Sequence, residues 1–328
     1  MVTRPIHNPL EDLTINSRIL GMNITGTKTA AVYGDMNGLI YERMQMETPE
    51  DRPFLEGFDA VCAQADKLLK VCRAQGLPSP EAISLAVSGS VNRLKGELIA
   101  SPDLPTWEGA QLKGRLTVRY NLPVFLEQRS QAAALAESVF GAGIGLENVL
   151  LIDMEPVVSA GLVLNGAVYH GAENMAGEIG RIQMAEDGPA GLGKPGSLTG
   201  FASGLGMAEL AQLRFPGHWP EPPKPYELVR AVHDGEEDAL AVVAEAAGHL
   251  GKALAWLVVV LDPDLVIFGH PGDLLGSSLM NPLQLALEAG TRSRQWPLPR
   301  LVESKLGSRL DDVASLMAVI NSYRNQSL

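Results

Sequence analysis

Hydrophobic and polar positions along the chain follow two periods, and each period predicts a different kind of element. Short apolar runs bounded by Gly, Asn or Asp predict strands, whereas apolar residues three or four apart predict helices. In Leu20 to Gly38 a strand, a Gly/Thr corner and a second strand predict a hairpin. In Phe54 to Gln75 the apolar spacing predicts a helix, and Gly76 supplies its end.

The same two periods predict strands and helices along the whole chain, and these fall into two similar series, here called cycles. The first cycle adds strands at 41–46, 83–87, 98–100 and 124–126 and helices at 112–120 and 130–140. The second has strands at 149–153, 159–164, 167–170, 265–268 and 301–306 and helices at 201–213, 226–234, 237–260, 281–290 and 311–324. Ser203 is expected to cap the helix at 201–213, and residues 1–16 to form a frayed arm. The repeated order indicates an internally duplicated fold with a cleft between its halves.

Composition narrows the class of protein. A chain of 328 residues is long for one core, so two domains are expected. The net charge of −12 argues against a nucleic-acid partner, because phosphate binding needs a basic face. The longest apolar run, 253–261, is too short to span a bilayer, and no signal peptide is recognised. Cys62 and Cys72 have no metal-ligand spacing and fit buried thiols of a cytoplasmic protein.

The corner of the first hairpin carries candidate chemistry. Thr25-Gly26-Thr27-Lys28 brings backbone N–H groups, two hydroxyls and an ammonium together. Such a group of donors can hold an anion, most plausibly a phosphate. Gly and Thr also occur in hairpin turns for purely conformational reasons, and the corner alone leaves both explanations open.

Five segments, taken together, resemble the ROK family of repressors, open reading frames and sugar kinases. They are LGMNITGTK (20–28), SPDLPTWEG (101–109), LPVFLEQRSQAAALAESVFGAG (122–143), YHGAENMAGEIGR (169–181) and LVVVLDPDLVIFG (257–269). The resemblance implies an α/β, actin/hexokinase-like (ribonuclease H-like) duplicated fold with a central cleft. It implies domains at 1–127 plus about 307–328 and at 128–306.

The resemblance also implies two groups of site residues. The phosphate- and nucleotide-binding candidates are Thr25, Gly26, Thr27, Lys28, Gly204 and Gly269. The substrate-binding candidates are Asp103, Glu127, Arg129, Glu178 and Arg181. ATP and Mg²⁺ are expected only if the chain is a kinase.

The departures from the family pattern concern the reacting groups. Arg129 stands where the family has the Asp that removes the proton from the sugar hydroxyl, and a guanidinium cannot accept a proton. Asn23 replaces the magnesium-facing Asp. In the second phosphate hairpin, Glu155 brings a negative charge and Pro156 lacks an N–H donor. These changes predict that no residue takes the role of the family's catalytic base.

The family's structural zinc site is also missing from the sequence. Arg181 replaces its His, and the cysteine segment corresponds to 190–199, which contains no Cys. No zinc and no other metal is therefore expected. Arg129 and Arg181 stand beside Glu127 and Glu178, so they are expected to fill the old site with buried ion pairs. The alternative is that the two arginines bind an anionic ligand such as a sugar acid or phosphosugar.

Three functions remain open. The first is a catalytically inactive ROK protein that senses a small sugar or an anionic sugar derivative, or acts through protein contacts. The second is an ATP-dependent hexose or amino-sugar kinase with a rearranged site, using Glu127 or Asp153 as base. The third is a transcriptional regulator, although the residues before Leu20 are too few for a helix-turn-helix domain. The resemblance implies a homodimer, and no membrane partner is expected.

Overall fold

The computed structural model describes residues 10–49, 52–291 and 297–326. The chain divides into two compact units, unit 1 (Met1–Ala132 with Asp311–Leu328) and unit 2 (Ala133–Leu310). Of the arm expected at 1–16, residues 1–9 lie outside the described residues. The described part of the arm forms turns, in which the buried Leu13 donates its N–H to the carbonyl of Leu10. It is therefore packed against unit 1 and is not frayed.

The elements follow the predicted order through most of the chain. The described strands are β1 (Arg18–Ile24), β2 (Lys28–Asp35), β3 (Ile40–Glu47), β4 (Ala82–Val87), β5 (Ser90–Asn92), β6 (Glu97–Ala100), β7 (Val124–Gln128), β8 (Val149–Asp153), β9 (Ser159–Leu164), β10 (Ala167–Val168), β11 (Leu265–Phe268) and β12 (Arg300–Glu303). The described helices are α1 (Phe54–Ala74), α2 (Leu112–Tyr120), α3 (Arg129–Phe140), α4 (Leu198–Ala202), α5 (Gly204–Arg214), α6 (Pro225–His233), α7 (Glu237–Leu261), α8 (Gly272–Leu275), α9 (Ser277–Thr291), α10 (Leu310–Ala314) and α11 (Met317–Arg324).

Unit 1 is built on a five-stranded sheet in the order β3-β2-β1-β4-β7. β1 pairs antiparallel with β2 and parallel with β4, and β4 pairs parallel with β7. The central strands are buried on both faces, which explains their nearly continuous apolar sequence. Leu20 and Leu85 pack with Phe58 of α1 and with Trp107 in one core cluster.

Unit 2 repeats this topology, with its sheet in the order β10-β9-β8-β11-β12. β8 again pairs antiparallel with its hairpin partner β9 and parallel with β11, which pairs parallel with β12. Asn165 and Gly166 have φ values of 52° and 73°, as a tight turn between β9 and β10 requires. The matching strand order confirms the internal duplication that the sequence indicated.

α7 is the longest described helix, and it forms the core of unit 2. By length and composition it could cross a membrane, because its apolar stretch extends well beyond 253–261. More than half of the most apolar part is buried inside the fold. Val243, Leu250 and Leu254 are fully buried and pack in the core cluster of unit 2. This burial is typical of a core helix in a globular protein.

The two cysteines lie on α1 and agree with the prediction. Cys62 and Cys72 are buried and unpaired. Burial raises the pKa of the Cys62 thiol to about 11 and also raises that of Cys72. Both thiols are therefore protonated at neutral pH and unreactive.

Two predicted helices are each divided in the structure. Ser203 is extended, and its Oγ accepts the N–H of Gly206 at 3.0 Å. It is the predicted cap, but it begins α5 after the separate short helix α4. The C-terminal helix predicted at 311–324 is α10 and α11, with a break at Ser315 and Leu316. The hydroxyl of Ser315 donates to the carbonyl of Asp312 and holds that break.

Candidate functional site

The candidate residues of unit 1 meet at one edge of its sheet. β1, β4 and β7 run parallel, so their carboxyl ends lie at the same edge. Lys28 follows the turn after β1, Ser88 follows β4, and Arg129 follows β7. In α/β proteins this is the edge where ligands bind.

Asp103, a candidate sugar ligand, is held by three hydrogen bonds within unit 1. The backbone N–H of Gly26 donates to its Oδ2 at 2.7 Å. The hydroxyls of Ser88 and Ser101 donate to its Oδ1 at 2.9 and 2.7 Å. Its side chain is almost fully buried. The carboxylate therefore fixes the 101–107 loop to the first hairpin and has little accepting capacity left for a sugar.

The Thr25–Lys28 corner satisfies most of its own polar groups. The hydroxyl of Thr25 donates to the carbonyl of Lys28 at 2.9 Å and accepts the N–H of Lys28 at 3.1 Å. It also lies 3.3 Å from the hydroxyl of Thr27. A Cβ built on Gly26 would overlap the backbone of Asp103. Glycine at this position is thus required by the close approach of the 101–107 loop.

Lys28 and Arg129 converge on one carboxylate that was not among the candidate site residues. Nζ of Lys28 lies 3.2 Å from Oδ2 of Asp311 in α10. The Nε and Nη2 groups of Arg129 lie 3.2 and 3.0 Å from its Oδ1. The exposed fractions of the side chains are 9% for Arg129, 20% for Asp311 and 41% for Lys28. We call these three residues the Asp311 cluster.

The protonation of Asp311 follows from its neighbours. Burial alone would raise the pKa of this carboxyl, but the charges of Arg129 and Lys28 outweigh burial and hold the pKa far below its usual range. The adjacent Asp312 shows the opposite balance, since burial raises its pKa despite an ion pair with Arg43 at 2.8 Å. Asp311 is therefore a permanent anion at neutral pH.

Glu127 and Arg129 each form an ion pair with a residue outside the candidate set. Nε of Arg93 lies 3.1 Å from Oε2 of Glu127, whose side chain is 1% exposed. Arg129 pairs with Asp311 across 182 residues of sequence. Arg93 follows the short strand β5, and its local sequence carries no signal of its partner.

Asn23, at the expected magnesium-facing position, is buried beside the cluster. Its Nδ2 lies 3.4 Å from the backbone carbonyl of Asp311. Its Oδ1 is buried and has no hydrogen-bond partner among the residues described. A neutral amide at this place offers one acceptor where a carboxylate would offer a formal negative charge.

In unit 2, the second hairpin carries a carboxylate of its own. A Cβ built on Gly204 would lie 3.1 Å from Oε1 of Glu155, so this carboxylate packs against the start of α5. Nε2 of His270 lies 3.8 Å from Oε2 of Glu155. The N–H groups of Gly204 and Gly269 donate to the carbonyls of Met154 and Ile152 at 3.3 and 2.9 Å. Both glycines are therefore already paired within unit 2.

Glu178 and Arg181 form an ion pair, as expected, but not a buried one. Nε of Arg181 lies 3.1 Å from Oε2 of Glu178, and the Arg181 side chain is 57% exposed. Position 181 lies in a short 3-10 turn on the surface of unit 2, so the guanidinium projects into solvent. This pair cannot fill a buried site.

The segment that corresponds to the family's zinc loop is held by hydrogen bonds. The carboxylate of Glu209 accepts the N–H groups of Ala190 and Gly191 at 2.8 and 3.1 Å. The side-chain amide of Gln183 donates to the carbonyls of Ala185 and Pro195 at 2.7 and 2.8 Å. Within residues 10–49, 52–291 and 297–326, no group of three or more His, Cys, Asp or Glu side chains could hold a metal ion. The residues at this place do not fit a zinc site.

The residues at the two hairpins also fit a triphosphate poorly. A phosphate needs free N–H donors or cations, and here Gly26 donates to Asp103 while Lys28 contacts Asp311. Glu155 adds an anion beside Gly204 in unit 2. In both units a carboxylate of the chain lies beside the position expected to receive phosphate.

The likeness to known proteins agrees with this architecture. The crystal structure of a ROK family glucokinase from Streptomyces griseus in complex with glucose and AMPPNP gives a TM-score of 0.79 at 26% identity. The likeness covers 94% of this chain and 100% of that one. With the duplicated sheets, it defines an α/β protein of the actin/hexokinase-like fold.

Sequence comparison gives the family. Residues 19–290 match the family described as ROK, and the chain belongs to the ROK family. A glucokinase of Halalkalibacterium halodurans is 33% identical over 211 residues, which cover 60% of this chain and 62% of that protein, less than two thirds of its length. A glucokinase of Streptomyces coelicolor is 26% identical over 309 residues, covering 88% of this chain and 93% of that protein. The chain is thus similar to sugar kinases over most of its length.

Proposed function

We propose that this ROK protein binds a small sugar or an anionic sugar derivative and acts by sensing it, without transferring phosphate. The observation that carries the proposal is the ion pair of Arg129 with Asp311. Arg129 stands at the position of the family's catalytic Asp, and the loss of a general base lowers a rate by roughly 10²–10⁴. Loss of the groups that stabilise the transferred phosphate would lower the rate further.

The state of the other candidate bases supports the same proposal. Glu127 is buried and paired with Arg93, and its Oε1 accepts the N–H of Gln128 at 3.0 Å. Its two oxygens are thus already engaged, Oε2 by a cation and Oε1 by a backbone donor. Proton removal from a sugar hydroxyl would have to break or share these contacts.

The proposal includes the absence of a bound Mg²⁺-ATP. Two observations support this part. The Gly26 donor of the first hairpin is already engaged by Asp103. The carboxylates of Asp311 and Glu155 would oppose a polyphosphate by charge repulsion. A homodimer in the cytoplasm completes the proposal and comes from the family resemblance alone.

The alternative is an ATP-dependent sugar kinase with a rearranged site, and the comparisons favour it. Glucokinases are among the relatives that match most of the chain, and the similar structure was solved with glucose and AMPPNP. Glu127 or Asp153 would serve as the base, and both are buried carboxylates. The regulator alternative is supported by similarity to xylose repressors over 73% of this chain.

One set of measurements distinguishes these functions. Calorimetry with a hexose, an amino sugar and a sugar acid tests binding, and a coupled assay with ATP tests turnover. The proposal expects binding of at least one sugar without turnover. Turnover that Glu127→Gln or Asp153→Asn removes, and that Asp59→Asn at an exposed acid of α1 leaves unchanged, would establish the kinase instead. Binding of none of the three sugars would contradict both.

A further inference from the structure

The Asp311 cluster has the composition of an anion-binding site in which one member is the anion. Lys28 and Arg129 supply the cations from the ends of two different strands, and Asp311 comes from the C-terminal part of unit 1. Without Asp311, the two cations would be left with one fewer counter-charge at a mostly buried position. Such positions draw in anions, because the interaction of charges strengthens away from bulk water.

The geometry of the carboxylate resembles that of a bound oxyanion. Its two oxygens are divided between the cations, with Oδ2 near Nζ of Lys28 and Oδ1 near the guanidinium of Arg129. Guanidinium and ammonium groups bind carboxylate and phosphate oxygens by the same charge-assisted hydrogen bonds. The hydroxyl of Thr27 lies on the same turn as Lys28, 3.3 Å from the hydroxyl of Thr25.

The segment that carries Asp311 is anchored, so the carboxylate is not a loosely placed surface group. The N–H of Ala318 donates to the hydroxyl of Ser84 on β4 at 3.1 Å. The neighbouring Asp312 pairs with Arg43 of β3. Nδ2 of Asn23 contacts the backbone carbonyl of Asp311 itself. These contacts fix α10 and α11 against the sheet of unit 1.

We propose that Asp311 is a built-in anion that closes a latent phosphate-binding site formed by Lys28, Arg129 and the Thr25–Thr27 turn. The ligand class of the opened site is a polyphosphate, free or as part of a nucleotide. In the native chain the carboxylate occupies the cations. Removal of its charge takes one counter-charge from these two cations and so favours phosphate there. The inference deepens the proposed lack of phosphoryl transfer and rests on that function.

The test uses inorganic tripolyphosphate as the probe and the full chain as the protein. We expect Asp311→Asn to bind tripolyphosphate at least ~10-fold more tightly than the native chain, since one repulsive charge is replaced by a neutral amide. The matched control is Asp312→Asn, which removes the adjacent carboxylate paired with Arg43 and is expected to bind as weakly as the native chain. Adding Lys28→Ala to Asp311→Asn should abolish the gain.

Three results would overturn the inference. They are equal binding by the native chain and Asp311→Asn, a gain of the same size in Asp312→Asn, and a gain that survives Lys28→Ala. If Asp311→Asn does not fold, Asp311→Ser replaces it. If neither folds, the unfolding temperature of the native chain is measured in tripolyphosphate. An increase in unfolding temperature that depends on Lys28 contradicts a closed site. An unchanged unfolding temperature supports a closed site.

The two proposals fail on different measurements. Sugar binding and turnover by the native chain decide the proposed function. Tripolyphosphate binding by Asp311→Asn, relative to the native chain, decides the role of Asp311. A native chain that binds tripolyphosphate but turns over no sugar would overturn the role of Asp311 alone.

Discussion

The backbone N–H of Gly26 donates a hydrogen bond to Oδ2 of Asp103 across 2.7 Å, and this bond joins the first hairpin to the 101–107 loop. The sequence made these two residues candidates for different ligands, Gly26 for phosphate and Asp103 for sugar. In the structure they contact each other. The contact can be tested by substitution of either residue.

Asp103→Asn should destabilise unit 1. Asp103 accepts hydrogen bonds at both oxygens, from Gly26 on one side and from Ser88 and Ser101 on the other. An amide has only one accepting oxygen, so at least one buried donor loses its partner. The expected loss in the free energy of unfolding is about 1–3 kcal/mol, measured by urea denaturation.

Asp59→Asn is the control for this substitution. Asp59 lies on α1 with a side chain that is 73% exposed, at 3.7 Å from Arg119. An exposed pair of this kind contributes little, so its loss should change the free energy by less than ~0.5 kcal/mol. Equal effects of the two substitutions would show that the Asp103 network adds nothing specific.

Gly26→Ala should destabilise the fold without any ligand being present. The new Cβ would overlap the carbonyl oxygen and Cβ of Asp103, and backbone there cannot easily move. Overpacking of this kind typically costs about 1–3 kcal/mol. Gly114→Ala is the matched control, since Gly114 lies exposed on α2 with no neighbouring atom near the new Cβ. It should stabilise the chain by up to ~1 kcal/mol through helix propensity.

The comparison is made by thermal unfolding of both variants and the native chain. A Gly26→Ala variant as stable as the native chain would mean that the loop is free to move away. Glycine at position 26 would then need another explanation, such as the approach of a ligand.

The pH dependence of stability should separate Asp311 from Asp312. Folding lowers the pKa of Asp311, so its contribution is complete above the unfolded value near ~3.9 and is lost as pH falls through the folded value. The stability difference between the native chain and Asp311→Asn should therefore shrink as pH is lowered from 7 to 3. Urea denaturation across this range measures it.

Asp312 should behave in the opposite sense. Folding raises its pKa, so its charged form opposes the fold as pH rises through the unfolded value toward the folded one. The stability of Asp312→Asn relative to the native chain should thus improve as pH rises from 3 to 7. The same trend in both variants would contradict the assigned roles of Arg129 and Lys28.

The zinc-free loop should depend on Glu209 and not on metal. Glu209→Ala leaves the N–H groups of Ala190 and Gly191 without their acceptor. The expected loss in the free energy of unfolding is about 1–3 kcal/mol. Glu221→Ala, at an exposed position between α5 and α6, is the control and should have no measurable effect.

Metal dependence is measured on the same proteins. Neither added zinc nor a chelator should move the unfolding temperature of the native chain, because no cysteine thiolate is present at 190–199. A fall in that temperature with the chelator would show that metal contributes to the fold after all.

The fold was predictable because its signals are local. The apolar run of β4 and the 3–4 spacing of α1 reflect burial on one side or both, and each is contained within a few neighbouring residues. Ser203 was identified as a cap by residue type. The separation of α4 from α5 was missed, since the apolar spacing continues through Ser203 and hides the break.

The candidate site was predictable in position but not in partners. The resemblance placed Lys28, Asp103 and Arg129 in one region, and the structure brings them to one edge of the sheet. Their partners depend on packing between distant segments. Arg129 and Asp311 are 182 residues apart, and no local pattern connects them. The available signal was two adjacent acidic residues, Asp311 and Asp312, at the start of the predicted C-terminal helix.

Asp311 belongs to the same covalent chain as the cations it contacts. A tethered group of this kind competes with free ligands at an effective concentration on the order of millimolar or above. Its effective concentration at Lys28 and Arg129 therefore does not vary with the amount of protein or with any metabolite pool. A ligand that displaces it needs further contacts with unit 1, since an equal charge alone gives no advantage. Binding at the cluster would then depend on the shape and hydroxyl groups of a ligand, because its phosphate alone adds little affinity.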